Sequence, residues 1–195
     1  MDPVSQLYNV FAAYQASLEL LHKQLPMIAE VADTLASTVR RNGRIFIAGN
    51  GGSHSLGEHL CAELIGRLSY EARPVGAFVL QNCTPVTTAL SNDYRFEIAL
   101  ARELDALARP GDVFLAISAS GESRNLVEAA LRANEMGLTT VCLVGRSVSP
   151  LGDGCHVRLA TPSPEIVVVQ QVHLVVVHLI WLALEQVLGA GEPAG

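Results

Sequence analysis

Residues 44–68, RIFIAGNGGSHSLGEHLCAELIGRL, decide how the rest of the chain is read. Arg44 to Ala48 is a short apolar run rich in β-branched and aromatic residues, the composition of a buried strand. From Ser53 onward the apolar spacing is helical. Between them stands Gly49-Asn50-Gly51-Gly52-Ser53. Glycines let a backbone turn tightly and come close to a ligand. The helix that follows begins with unpaired N–H groups at the positive end of its dipole, so the junction suits an anion, commonly a phosphate. The same helix carries His59 and Glu63, four residues apart and hence on one face. One element thus offers an anion cradle and, beside it, two groups able to move protons or hold a metal.

Outward from this stretch, four further apolar runs read as strands: 75–80, 113–118, 140–144 and 156–160. VFLAIS at 113–118 is continuous, as expected of a strand buried on both faces of a parallel sheet. Helical spacing fills the intervals, with a short helix and loop over 84–92 and helices over 96–108 and from the 118–123 loop to about Met136, where Gly137 caps. Five strands alternating with helices predict an α/β fold, a doubly wound parallel sheet of order 2-1-3-4-5. Two helices precede it, over 4–22 and from beyond Pro26 to about Arg41, where Asn42-Gly43 ends the second. The expected organisation is one domain, 1–195: a helical pair over 1–42, the α/β core and a long buried C-terminal helix over 43–188, and a frayed tail over 189–195.

Composition narrows the function classes. Half of the residues are hydrophobic and the net charge is −6, which suits a well-buried or oligomeric fold and argues against nucleic acid as the main partner. Cys61, Cys83, Cys142 and Cys155 form no CxxC pair and no signal-peptide pattern opens the chain, so reduced thiols in a cytoplasmic protein are expected. Residues 166–188 imitate a membrane span, yet they carry Gln170, Gln171, His173, His178 and Glu185, which lipid would not readily accept. A protein core or a subunit interface is the better reading, and no membrane partner is expected.

The second constellation is Ser118-Ala119-Ser120-Gly121-Glu122-Ser123. Its serine hydroxyls, set ahead of a helix, form a phosphate site without a basic residue, although Ser123 is also an ordinary N-cap. The GK[ST] ending of a P-loop is missing, so a single phosphate on a small molecule fits better than a nucleoside triphosphate. In the doubly wound order this loop and 49–53 flank the switch point together. His59 and Glu63 make only half of a metal site. Polar side chains of the apolar C-terminal helix can complete it, and spacing leaves Gln170 and Gln171 equally open beside His178.

Taken together, GNGGS with HxxxE (49–63), SND (91–93), SxSGxS (118–123) and QxxHxxxxH (170–178) resemble the sugar isomerase (SIS) family, most closely its phosphoheptose isomerases, over nearly the full chain. The resemblance implies a homotetramer with active sites between subunits. It sets a sugar phosphate against Ser53, Ser118, Ser120 and Ser123, with the sugar near Asn50, Gly51, Gly52, Glu63, Asn92, Asp93, Ala119 and Gln170. It implies one zinc ion per subunit, held by His59, Glu63, Gln170 and His178, and so selects Gln170 over Gln171. The implied reaction converts sedoheptulose 7-phosphate to glycero-manno-heptose 7-phosphate through an enediol, in nucleotide-activated heptose biosynthesis. Glu63 would move the proton between carbons, with His178 as its acid–base partner. The alternatives are isomerisation of another phosphosugar and a non-catalytic tetramer resembling the DnaA initiator-associating protein. The latter typically lacks the acid–base pair that Glu63 and His178 supply here. The chain departs from the family pattern at Leu56 and Val167, where carboxylates are usual, and at Ala119 and Glu122, where the loop usually reads Thr and Asn.

Overall fold

The structure, a computed structural model, describes residues 2–66 and 74–189. The end of the opening stretch (67–68) and the tail beyond 189 lie outside the described residues. In chain order the elements are α1 (Pro3–His22), α2 (Leu25–Arg40), β1 (Ile45–Gly49), α3 (Gly52–Ile65), β2 (Ala77–Val79), α4 (Thr84–Asp93), α5 (Phe96–Leu107), β3 (Val113–Ser118), α6 (Arg124–Glu135), β4 (Thr139–Val144), α7 (Pro150–Asp153), β5 (Val157–Ala160) and α8 (Ile166–Leu188).

All five strands are parallel and lie in the order β2-β1-β3-β4-β5. The order reverses between β1 and β3, whose register runs from Ile45↔Val113 to Gly49↔Ile117. The pleat sorts the continuous apolar runs onto two faces. Ile45, Ile47, Val113, Leu115, Ile117, Val141 and Leu143 turn toward a core shared with α2, α3 and α8. Phe46, Ala48, Phe114, Ala116, Cys142 and Val144 turn toward α5 and α6. Both faces are covered, which is why these strands show no polar alternation.

The leading helices join the first of these cores through Leu21, Ile28, Val31, Leu35 and Val39. Pro26 does not punctuate between helices as expected but stands in the first turn of α2, where a missing N–H leaves no bond unmade. Asn42, at φ 59°, ends that helix. Gly137, at φ 79°, follows the C-cap of α6. Ser91-Asn92-Asp93 belongs to α4 rather than to a loop. The four-residue α7 was not predicted, because a single turn is too short to show periodicity.

The α8 helix is long and apolar enough to cross a membrane, and among the described residues no other is. Its apolar character has a different structural use. One side, with Val168, Val172, Val176, Val177, Ile180, Trp181 and Leu184, packs into the core. The other leaves Leu174 and Leu182 exposed, so the helix expected to be buried is covered along one side by this chain.

Candidate active site

The carboxyl ends of β1 and β3 carry the two small-residue loops side by side. After β1 the chain turns so sharply that a Cβ on Gly49 would stand 2.6 Å from the Ser53 main chain. Gly51, at φ 54°, takes a backbone conformation that favours glycine. Ser53 is thereby buried at the start of α3.

In the second loop Ser118 Oγ accepts the Gly121 N–H at 3.0 Å and lies 3.5 Å from Ser123 Oγ. Ser123 occupies the N-cap position of α6, but its side chain makes no capping bond, so the N-cap alternative does not consume its hydroxyl. Ser120 Oγ accepts the Glu122 N–H, and the Ala119 carbonyl accepts the Gly145 N–H at 3.1 Å, which ties the loop to the end of β4. Glu122 pairs with Arg146 at the surface.

The two loops are locked together by a contact that the motifs did not reveal. Asn50 and Asn125 exchange a reciprocal pair of side-chain hydrogen bonds, both 2.9 Å. The Asn50 amide, assigned to the sugar by resemblance, is thus engaged with its neighbour. A signal for its partner exists: Asn125 sits inside the first turn of α6, where asparagine is a poor helix former.

The second half of the site is built where α3 meets α8. His59 Nε2 lies 2.9 Å from His178 Nε2, with the rings edge to face at 84°. His59 Nε2 lies 3.4 Å from Glu63 Oε1. One ligand atom from each of these three residues falls within 4.8 Å of the others, a geometry able to hold a metal ion. The Glu63 side chain is 11% exposed, and its Oε2 is buried without a hydrogen-bond partner. Such an atom is costly unless something fills its place.

Between α8 and the glycine loop with α3 lies a cavity of about 270 Å³ lined by Gly52, Ser53, Leu56, His59, Gln170 and His173, among others; Ser118, Ser120, Ser123, Glu63 and His178 are not among its lining residues. Gln170 crosses over the glycine loop, with its amide nitrogen 3.1 Å from where a Cβ on Gly52 would stand. Both Gln170 and Gln171 are exposed, and of the two only Gln170 lines the cavity. Asn92 and Asp93 stand exposed at the end of α4, where Asn92 donates to Asp93 at 2.9 Å. They are not among the residues lining the cavity.

A doubly wound sheet with paired hydroxyl loops at its switch point, and an imidazole–carboxylate cluster beside them, is the arrangement of an enzyme domain for a small phosphorylated ligand. The SIS domain profile matches residues 10–145. A phosphoheptose isomerase of Geotalea daltonii is 36% identical over 184 residues, spanning 94% of this chain and 96% of that protein. Among solved structures, a phosphoheptose isomerase from Francisella tularensis superposes with a TM-score of 0.89 at 25% identity, covering 95% of this chain and 100% of that one. One from Neisseria gonorrhoeae gives 0.82 at 27% identity, covering 94% and 96%. The chain belongs to the SIS family, in its phosphoheptose isomerase branch.

Proposed function

We propose that the chain is a ketose–aldose isomerase that converts sedoheptulose 7-phosphate to glycero-manno-heptose 7-phosphate, a step toward nucleotide-activated heptose. The observation that carries the reading is Glu63: a nearly buried carboxylate with one oxygen unpartnered, packed beside two histidines, of which His59 lines the cavity. Ser53, Ser118, Ser120 and Ser123 take the phosphate by hydroxyl donation. With the phosphate fixed, Glu63 removes a proton from C1 of the ketose and returns it to C2, so that one C–H bond breaks and another forms through an enediol. His178 supplies and takes up the proton on the oxygens as the carbonyl moves from C2 to C1. Gly52 and Gln170 line the sugar cavity in this reading and Leu56 gives its wall an apolar patch, while Gly51, Asn92 and Asp93 are assigned to the sugar by family resemblance alone.

His59, Glu63 and His178 fit a zinc ion, with Gln170 lining the same cavity as His59; Glu63 would hold the ion through Oε1, which faces His59, and keep Oε2 for the proton. Two imidazole nitrogens facing each other need either a shared proton or a cation between them, and here they are 2.9 Å apart. Nitrogens at roughly 2.0–2.1 Å from a tetrahedral zinc stand about 3.3 Å apart, a small opening from this geometry. When bound, zinc would polarise the substrate carbonyl and stabilise the developing oxyanion.

Self-assembly is the second part of the proposal. Val4, Leu7, Tyr8 and Phe11 form a stripe along α1 at helical spacing and are all exposed, Leu7 at 69% and Tyr8 at 73%. With Leu174 and Leu182 on α8 they supply the apolar surface that a homotetramer would bury. A Leu7→Glu/Phe11→Glu double variant is expected to sediment as a smaller species than the wild type. A wild type that sediments as a monomer at micromolar concentration removes the tetramer. A cytoplasmic location accords with the four free thiols.

Turnover tests the main reading. Purified protein is expected to form an aldose phosphate from sedoheptulose 7-phosphate, to form less after chelation, and to recover when zinc is restored. If no ketose phosphate is turned over, the non-catalytic alternative takes its place.

A further inference from the structure

His173 has no role in the chemistry above. It sits on α8 one turn beyond Gln170, is 1% exposed, and lines the cavity with Ser53, His59 and Gln170. Neither of its ring nitrogens has a hydrogen-bond partner. Among the described residues Glu63, Glu103 and Trp181 also keep a buried polar atom without a partner, but none of them lines this cavity. Asp112 accepts the Arg44 and Arg109 N–H groups, Asn125 is paired with Asn50, and Thr140 is bonded to Asn134 and the His156 ring. The Val144 carbonyl, which accepts the Thr161 N–H at 2.8 Å, lies near enough to favour protonation of His173 slightly; at most it serves one ring nitrogen and leaves the other unmet. Burial dominates and lowers the imidazole pKa to about 4, so the ring is neutral at ordinary pH.

A neutral imidazole offers one donor and one acceptor, whichever tautomer is present. A buried group of this kind without partners destabilises the fold, and an apolar side chain of similar size would serve the core better. Its cavity indicates what it serves. The imidazole–carboxylate cluster that can hold a metal contains His59, Glu63 and His178 but not His173. A phosphate has oxygens that chiefly accept, and the serine loops already meet that need. A sugar hydroxyl both donates and accepts, and so answers either tautomer of the ring.

We propose that His173 is a substrate-binding residue, its imidazole hydrogen-bonding a hydroxyl of the sugar phosphate in the cavity between the glycine loop and α8. This rests on the phosphosugar reading of the site. It places a sugar contact on the cavity floor, separate from the phosphate loops and from the proton-transferring pair.

The test compares the wild type with His173→Phe and His173→Gln. Melting temperature, kcat and KM for sedoheptulose 7-phosphate are measured, with calorimetric affinities for that sugar phosphate and for inorganic phosphate. His173→Phe is expected to melt no lower than the wild type and to weaken the sugar phosphate about tenfold, the loss of one buried hydrogen bond. Its affinity for inorganic phosphate stays unchanged, and His173→Gln recovers part of the loss. Unchanged sugar-phosphate affinity in His173→Phe overturns the inference, as does an equal loss for the sugar phosphate and inorganic phosphate. A lower melting temperature in both variants with equal loss of both ligands assigns His173 to the core instead. An inactive wild type that still binds the sugar phosphate through His173 overturns the isomerase reading alone. A wild type that binds no sugar phosphate overturns both.

Discussion

Replacing Glu63 by Gln is expected to lower kcat on sedoheptulose 7-phosphate by about two to four orders of magnitude, the usual worth of a positioned general base. The substitution keeps the volume and removes the charge. The side chain is nearly buried, with Oε2 unpartnered and Oε1 3.4 Å from His59. Neutralising a half-satisfied buried carboxylate should leave the melting temperature unchanged or raise it. The loss of turnover would therefore not be a loss of fold. KM should change much less than kcat, because the phosphate is held by Ser53, Ser118, Ser120 and Ser123 on other elements. Exchange of solvent deuterium into substrate carbon should fall in parallel with kcat, since the enediol exposes its proton to the base. A Glu63→Gln variant within threefold of the wild-type kcat would take the proton transfer away from this residue. Retained turnover with lost zinc would assign Glu63 to the metal alone.

The fold was legible wherever a local pattern was long enough to be unambiguous. β3 was read to the residue, because VFLAIS is one uninterrupted buried run between turn signals. β1 was displaced by one residue, since Gly49 still pairs with Ile117 although it looks like the start of a loop. β2 proved shorter than its apolar run, with Val75 and Leu80 buried but outside the ladder. The site was legible in halves. Each glycine or serine loop, and the His59–Glu63 pair, lies within one local segment whose spacing fixes its geometry. Contacts between distant segments were legible only through strand order and family resemblance, which bring the two loops together and His178 to His59. Neither the Asn50–Asn125 lock nor the His59–His178 approach has a signature in spacing, because each joins residues 75 or 119 positions apart through the sheet order. The choice of Gln170 over Gln171 comes from resemblance, and the structure adds that Gln170 lies beside Gly52.

The other large effect belongs to Gly49. A methyl group there would lie 2.6 Å from both the carbonyl carbon and the oxygen of Ser53, and 2.8 Å from the His54 nitrogen. These are main-chain atoms in the first turn of α3, so no side chain can rotate away. Relief requires β1 to leave its register with Ile117, or the first turn of α3 to unwind, and the surrounding core is close-packed. Gly49→Ala is accordingly expected to destabilise the protein by about 3 kcal/mol or more. For a chain of this length that lowers the melting temperature by roughly 6–12 °C. It should also weaken inorganic phosphate, since Ser53 is the residue displaced. Gly51 is the control, because nothing lies within 4 Å of its missing Cβ and its only penalty is a positive φ of 54°. Gly51→Ala should lower stability by about 1–3 kcal/mol, the strain of a side chain at φ 54°, ψ −124°, with the core intact. The order of the two melting temperatures distinguishes steric closeness from backbone freedom as the reason for glycine at this junction. A Gly49→Ala protein that melts within 2 °C of the wild type, or above Gly51→Ala, would show that the strand-to-helix turn is looser than the structure places it.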